Sequence, residues 1–312
     1  MISLRACLSI AMCASFTLAG FGASKHSFEA QAQVELPEAS WSAGDVVHAD
    51  YRSNSALHTL VLVDGKLLQE FDSIEEKNGA KILRVLAVDE RGPTRVRIEY
   101  GTLRSVQQRV DMPAASADDE PRDAVDQRNP LQQRTFTIVR QARGFKVQDE
   151  NSVRVPEGVA RLVLEEEGLS GFDYVRSGDR VARELAGRPL AVGTEIELGA
   201  ETAHAFVEGR SGRGDMRLFV TPKGTRDEAG TLVQVFSTRL TIQTERALAG
   251  SDTAVEMRGE MRFSASTGRF LSIHLDGVLS VASMSRDDAH TIEVTGLGPW
   301  SIRETARYES TR

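Results

Sequence analysis

The sequence predicts a mainly β fold of the α+β class: an antiparallel curved sheet or half-barrel meander, with two or three short helices inserted between residues 156 and 208. Three observations carry this. Residues 255–308 alternate apolar and polar side chains over three successive runs. Turn pairs punctuate the first third of the chain at hairpin spacing. Between residues 156 and 208 the apolar period changes from two to that of a helix.

The C-terminal alternation is the clearest. Val255, Met257, Met261 and Phe263 share one parity, against Glu256, Arg258, Glu260, Arg262 and Ser264 on the other. After a polar Ala265-Ser266-Thr267-Gly268-Arg269 turn, Leu271, Ile273, Leu275, Leu279 and Val281 line a second run. Ile292, Val294, Trp300, Ile302, Ala306 and Tyr308 line a third. Successive strand side chains point to opposite faces, so period-two alternation reads as strands with one face hidden from water.

The chain opens with a short basic start and the apolar run ACLSIAMCASFTLA, followed by an A-x-A pattern at Ala30-Gln31-Ala32. The run falls short of the roughly 20 residues of a membrane span, so residues 1–32 are expected to be a removed signal peptide; a cut near Gly22 or Ala23 is the alternative. Both cysteines, Cys7 and Cys13, lie inside it, and neither follows the Leu-small-small triplet of a lipoprotein. The expected mature chain is exported to the periplasm or beyond, without a lipid anchor, a transmembrane span or a thiol for disulfide, zinc or nucleophile. Net charge is −7, of which the first 32 residues (Arg5, Lys25, Glu29) contribute +1 and the remainder −8. An acidic balance speaks against nucleic acid as a partner.

From Trp41 to residue 110 the sequence reads as an N-terminal antiparallel meander. Residues 46–51 and 57–63 are expected strands. Asp64-Gly65 is a two-residue hairpin turn, because both positions tolerate positive φ. Asn78-Gly79 reads as a second such turn and residues 89–93 as a third. Residues 111–133, with three prolines and many acidic groups, read as a flexible linker, since prolines cannot donate to a ladder and polar runs bury little. Residues 134–309 form the C-terminal β-rich region with its helical insert, and the two β regions form either one sheet or two domains. In the insert, Pro156 suits a first helical turn, and Val159, Leu162 and Val163 recur at helical spacing. Ser177 can cap a second helix that Gly187 and Pro189 stop. Residues 200–208 form a third, with Ala203, Phe206 and Val207 on one side.

No catalytic residue and no metal site emerges. The histidines have no ligand spacing. His274, Asp276, Ser272 and Ser280 fall on the polar parity of a strand and no nucleophile elbow exists, so a solvated face accounts for them. The glycines and arginines of residues 209–215 lead into a strand rather than a helix N-terminus, unlike a phosphate loop. Glu304 is the local oddity. It shares the apolar parity of Trp300 and Tyr308, and these three are the candidate ligand-binding residues. An Arg262 or Arg303 partner, or a bulge near Gly296-Gly298-Pro299, would explain Glu304 without a ligand.

The segments Thr135-Phe136-Thr137-Ile138-Val139-Arg140, Arg188-Pro189-Leu190-Ala191-Val192-Gly193 and 260–269 (EMRFSASTGR) give the chain a resemblance to an uncharacterised family of secreted bacterial β-rich proteins, over about residues 41–309. In architecture it is similar to the periplasmic lipoprotein-carrier half-barrels. The resemblance implies no cofactor and no site residues. It leaves a non-catalytic envelope protein, with a lipid-like or other hydrophobic ligand in a cleft between curved sheet and helices. The other reading is a structural or protein-interaction component of the envelope without a cavity; an enzyme ranks below both.

Overall fold

The computed structural model describes residues 33–112, 125–167, 169, 177–206, 215–244, 251–286 and 290–309. Its strands in chain order are β1 (Gln33–Glu35), β2 (Val46–Val63), β3 (Lys66–Asp89), β4 (Gly92–Met112), β5 (Val125–Arg128), β6 (Thr135–Gln141), β7 (Gly144–Asp149), β8 (Pro189–Ala191), β9 (Ile196–Glu197), β10 (Asp215–Glu228), β11 (Thr231–Thr244), β12 (Ser251–Ser264), β13 (Phe270–Arg286) and β14 (Thr291–Glu309). The helices are α1 (Glu157–Glu166), α2 (Ser177–Leu185) and α3 (Ala200–Phe206). They lie between β7 and β10, inside the predicted window.

Twelve strands form one open, curved antiparallel sheet in the order β7-β6-β4-β3-β2-β14-β13-β12-β11-β10-β9, with β5 paired to β4. The last strand lies beside the first long one: β14 pairs with β2 from Glu309↔Val46 to Ile292↔Val63. Two meanders therefore grow outward from a central seam. Their outer edges, β7 and β9, are joined in sequence by the helical segment. That segment has to travel from one edge to the other, and it does so across one face of the sheet, here the inner face. A two-stranded patch of β1 and β8 accompanies it, held to β11 by Gln234 Nε2 donating to the Glu35 carbonyl at 2.6 Å.

The alternation of β12, β13 and β14 holds except at the start of β13, where a register shift between Arg262 and Phe263 buries Phe270 in place of the expected Leu271. Met257, Met261, Phe263, Ile273, Leu275, Trp300 and Ala306 are buried, while Arg258, His274, Asp276, Arg303 and Arg307 face water on the outer side. Phe236, Phe263 and Phe270 stack edge to face across three strands at 5.5 and 6.0 Å, a geometry that aligns ring quadrupoles and adds to area burial. Curvature has a local cause. A Cβ at Gly277 or Gly298 would run into the backbone oxygens of Glu256 and Ala56 on the neighbouring strands, so only glycine lets the sheet bend this tightly there.

Several boundaries differ from expectation. Asp64-Gly65 is a turn, both residues at positive φ (51° and 75°). Asn78-Gly79 is not a turn. It lies inside the 24-residue β3, where Asn78 pairs with Arg52 and Arg104. Gly79 is needed for close approach instead: a Cβ would strike the Tyr51 ring and stand 2.9 Å from Leu103 Cδ2. Residues 46–51 and 57–63 are likewise parts of one strand, β2. Inside the expected linker, β4 runs on to Met112, β5 pairs with β4, and Leu131 is buried. Residues 113–124 lie outside the described residues, as do the expected signal peptide and most of the 209–215 loop. Pro156 is the N-cap of α1 rather than a first-turn residue. Leu162, expected on its apolar face, is exposed, because Val159, Ala160, Val163 and Leu164 fill the contact. β10 continues beyond Thr221 through a bulge between Pro222 and Gly224, which accommodates the missing donor of proline.

Candidate functional site

The inner face divides into two halves along its strands. The near half carries the helices. Helix α2 packs on β13 so closely that a Cβ at Gly178 would overlap the Phe270 ring. Helix α3 lies against β10, and α1 reaches β2, β3 and β4 through its C-terminal glutamates. Its bottom is closed by a buried clasp. Arg269 pairs with Asp45 and donates to the Ser40 carbonyl at 2.8 Å. Its guanidinium lies 5.2 Å from the ring centroid of Trp41 and 5.0 Å from that of Tyr308. Burial makes such contacts stronger than at a surface, because water no longer competes.

The far half begins beyond Trp300. Register places Leu57, Val61 and Val63 of β2, Leu279 and Val281 of β13 and Val294 of β14 on the inner face. All six are half-buried rather than buried, and all but Leu279 stand outside the main core cluster and its apolar fringe. Among the described residues, the helix contacts named above all fall on the near half. From Trp300 to Ile292 this strip runs about 26 Å at about 3.3 Å per residue. It is a largely apolar trough with Thr59 buried in its floor, walled by strand and partly open to water.

The three candidate residues share the inner face but do not converge. Trp300 is buried at the boundary between the halves, its Nε1–H donating to Ser53 Oγ at 3.0 Å. Glu304 is half-buried between Ile273 on β13 and Tyr51 on β2. The register of β13 with β14 is unbroken, so no bulge re-aims it. Tyr308 belongs to the clasp, its ring 6.2 Å from Trp41. Eight residues separate the first from the last, so they mark a line along β14 rather than one pocket.

A second cluster had not been singled out. Tyr51 donates to Glu166 Oε1 at 3.0 Å, while Lys81 Nζ and the Tyr100 hydroxyl donate to Glu167 Oε1, both at 2.8 Å. Burial pushes the Glu166 carboxyl above its ordinary range and Glu167 beside it adds to that, against the opposing pull of Lys81, Tyr51 and Lys77. A signal existed in the sequence: three consecutive glutamates at a helix C-terminus oppose its dipole, so they call for an external partner. Their partners lie on strands 67–115 residues away, and spacing cannot name them.

His274 and Asp276 meet at 2.9 Å on the exposed outer face. Among the described residues no group of His, Cys, Asp and Glu could hold a metal, and no helix is long and apolar enough to cross a membrane.

No family model matches the chain, and no curated protein matches it. Of solved structures, lipovitellin, studied for its lipid–protein interactions, matches over 87% of this chain at 8% identity and a TM-score of 0.40; the chain spans 26% of its length. An outer membrane channel from Pseudomonas putida F1 matches over 86% of this chain and 97% of its own at 10% identity and a TM-score of 0.20.

Proposed function

We propose that this chain is a non-catalytic exported envelope protein that holds a lipid-like ligand against the inner face of its curved sheet. One observation carries the reading: the far half of that face presents half-buried apolar side chains around the buried Thr59, and the described helix contacts fall on the near half. An apolar strip of this length gains by covering its surface, at about 25 cal/mol per Å² removed from water. The ligand's chain lies along Leu57, Val61, Val281 and Val294, and its polar end meets the boundary at Trp300, Ser53 and Glu304. Export follows from the signal-like residues 1–32.

Mass spectrometry of an organic extract of the full-length protein, purified from the envelope of an expressing bacterium, tests this. A hydrophobic compound in stoichiometric amount is the expected result. An extract with nothing stoichiometric would sink the ligand reading. It would favour a protein-interaction role instead, for which the exposed Leu67 (57%) and Leu68 (70%) beside the β2–β3 turn are the supporting observation.

A further inference from the structure

Where the trough runs out, the sheet ends in exposed apolar side chains. Leu67 and Leu68 at the start of β3 are exposed, as are Met284 near the end of β13 (54%) and Ile292 at the start of β14 (36%). Register sets them around one row: Lys66 opposite Val63, Val63 opposite Ile292, Ile292 opposite Ser285. Asp64 ties the row together. Its amide donates to the Thr291 carbonyl and its carboxylate accepts from the Thr291 amide, both at 2.9 Å, with His290 Nδ1 at 2.8 Å from the other carboxylate oxygen.

The rim is apolar on both faces of the sheet. Ile292 continues the inner parity of Val63 and Val294. Leu67, opposite Leu62, and Met284, next to Ser285, lie on the outer parity. Leu68 is the extra residue of a bulge, between Gln69 opposite Val61 and Leu67 opposite Leu62. Bulges re-aim side chains at sheet ends, and this one adds a second exposed leucine to the rim. Such a rim restricts its occupant. A protein surface, or a second copy of this chain, docks on one face and leaves the other in water. A bilayer surrounds an edge that enters it. The floor of the trough also runs out to this rim through Val63 and Ile292, so an acyl chain can pass here without crossing water. The rim's cations, Lys66 and Arg286, are exposed, and their long stems let the charge stay at headgroup level while the leucines sink. Leu86 and Val88, exposed at the opposite end of β3, have no trough behind them, because the Arg269–Asp45 clasp closes that end.

We propose that this rim is a membrane-docking edge: Leu67, Leu68, Met284 and Ile292 enter a phospholipid leaflet and set the mouth of the trough against its acyl chains. The ligand then moves between leaflet and trough along Ile292, Val63 and Val294. That passage rests on the proposed function; the docking itself does not need a ligand.

Protein purified from the bacterial envelope and mixed with phosphatidylcholine vesicles tests this. Sedimentation with the vesicles is the expected result. Leu67→Ser combined with Leu68→Ser should weaken it at least tenfold, because more than half of each leucine surface leaves water on docking. The urea midpoint should stay where it was, since both positions are exposed. Raising salt from about 0.05 M to about 0.5 M should change little, because apolar contact rather than charge holds the edge. Tryptophan reports the site: emission of Leu68→Trp should shift to the blue with vesicles and be quenched by acyl-brominated phosphatidylcholine, while Leu86→Trp should not respond. Equal sedimentation of the wild type and the double variant, or an equal response at both tryptophans, overturns the docking edge. So does a dimer that forms without vesicles, persists with them and is lost in the double variant, which would assign the rim to a second copy. Docking together with an empty lipid extract keeps the edge and sinks the ligand reading; a lipid in the extract without docking does the reverse.

Discussion

Replacing Lys81 with methionine separates two regimes that differ severalfold in energy. An exposed ion pair contributes about 0–1 kcal/mol. A buried pair that loses one member costs about 3–5 kcal/mol, because the remaining charge stays out of water. Exposures of 11% for Lys81 and 1% for Glu167 place this pair in the second regime. Methionine keeps most of the volume, so the loss is electrostatic rather than a cavity. The cost should depend on pH in a definite direction. Without the ammonium, Glu166, already raised by burial, loses the pull of Lys81 that lowers it and rises further; a raised carboxylate destabilises when ionised, so the penalty shrinks as pH falls toward 5. The companion change of Glu167→Met together with Tyr100→Phe removes the stranded carboxylate and the donor it would leave behind, and should recover most of the stability. Urea unfolding at pH 7.5 and pH 5, followed through Trp41 and Trp300, measures all of this. A cost under about 1 kcal/mol, or an equal cost at both pH values, refutes the argument that these charges are held in a low-dielectric site.

Phe270→Ala should destabilise by about 3–5 kcal/mol in urea melts, because it empties a fully buried position against Phe263 and α2. Gly178→Ala should cost about 1–3 kcal/mol by driving a methyl group into the same ring; combining it with Phe270→Ala should give less than the sum, a coupling that a double-mutant cycle reads directly. Arg269→Lys keeps the charge beside Asp45 but loses the flat guanidinium over Trp41 and Tyr308, so it should shift Trp41 emission and lower stability by about 1–2 kcal/mol. Val281→Glu, at a half-buried trough position, should weaken binding of a fluorescent fatty acid at least tenfold while leaving the urea midpoint nearly unchanged.

The C-terminal sheet was legible because its signal is local. Parity along residues 255–308 is set by each strand alone, and it named the inner side chains from Val255 to Tyr308. Strand length was not legible. Asn78-Gly79 has the composition of a turn, but Gly79 is there because the Tyr51 ring, 28 positions earlier, passes over it. Glycine answers both needs, and only the register of β2 tells them apart. The same limit applies to the site. Trp300, Glu304 and Tyr308 were found together by parity, which assigns a face but says nothing of where along a strand a site begins. The Glu166–Glu167–Lys81 cluster was missed because it depends on where α1 lands across three strands. The glutamate run at its helix end was the one local sign.

Why the described helices leave half of the inner face uncovered follows from the chain path. Because β14 returns to pair with β2, both free edges lie at the far sides of the sheet, and the chain must cross one face once to connect them. The crossing is made by helices of 10, 9 and 7 residues, about 15, 14 and 10 Å long at about 1.5 Å per residue and about 10–12 Å thick. The 18-residue β2 under them is about 60 Å long at about 3.3 Å per residue. A single helical crossing covers a band of that height and no more. A sequence that left its inner face wet beyond the band would place polar side chains there, as β12 and β13 do on their outer face. This one instead places Leu57, Val61, Val281 and Val294 there, and shortens none of the strands that carry them. The topology dictates that the described helices leave part of the face uncovered; the residues chosen for that part are those that favour an apolar occupant.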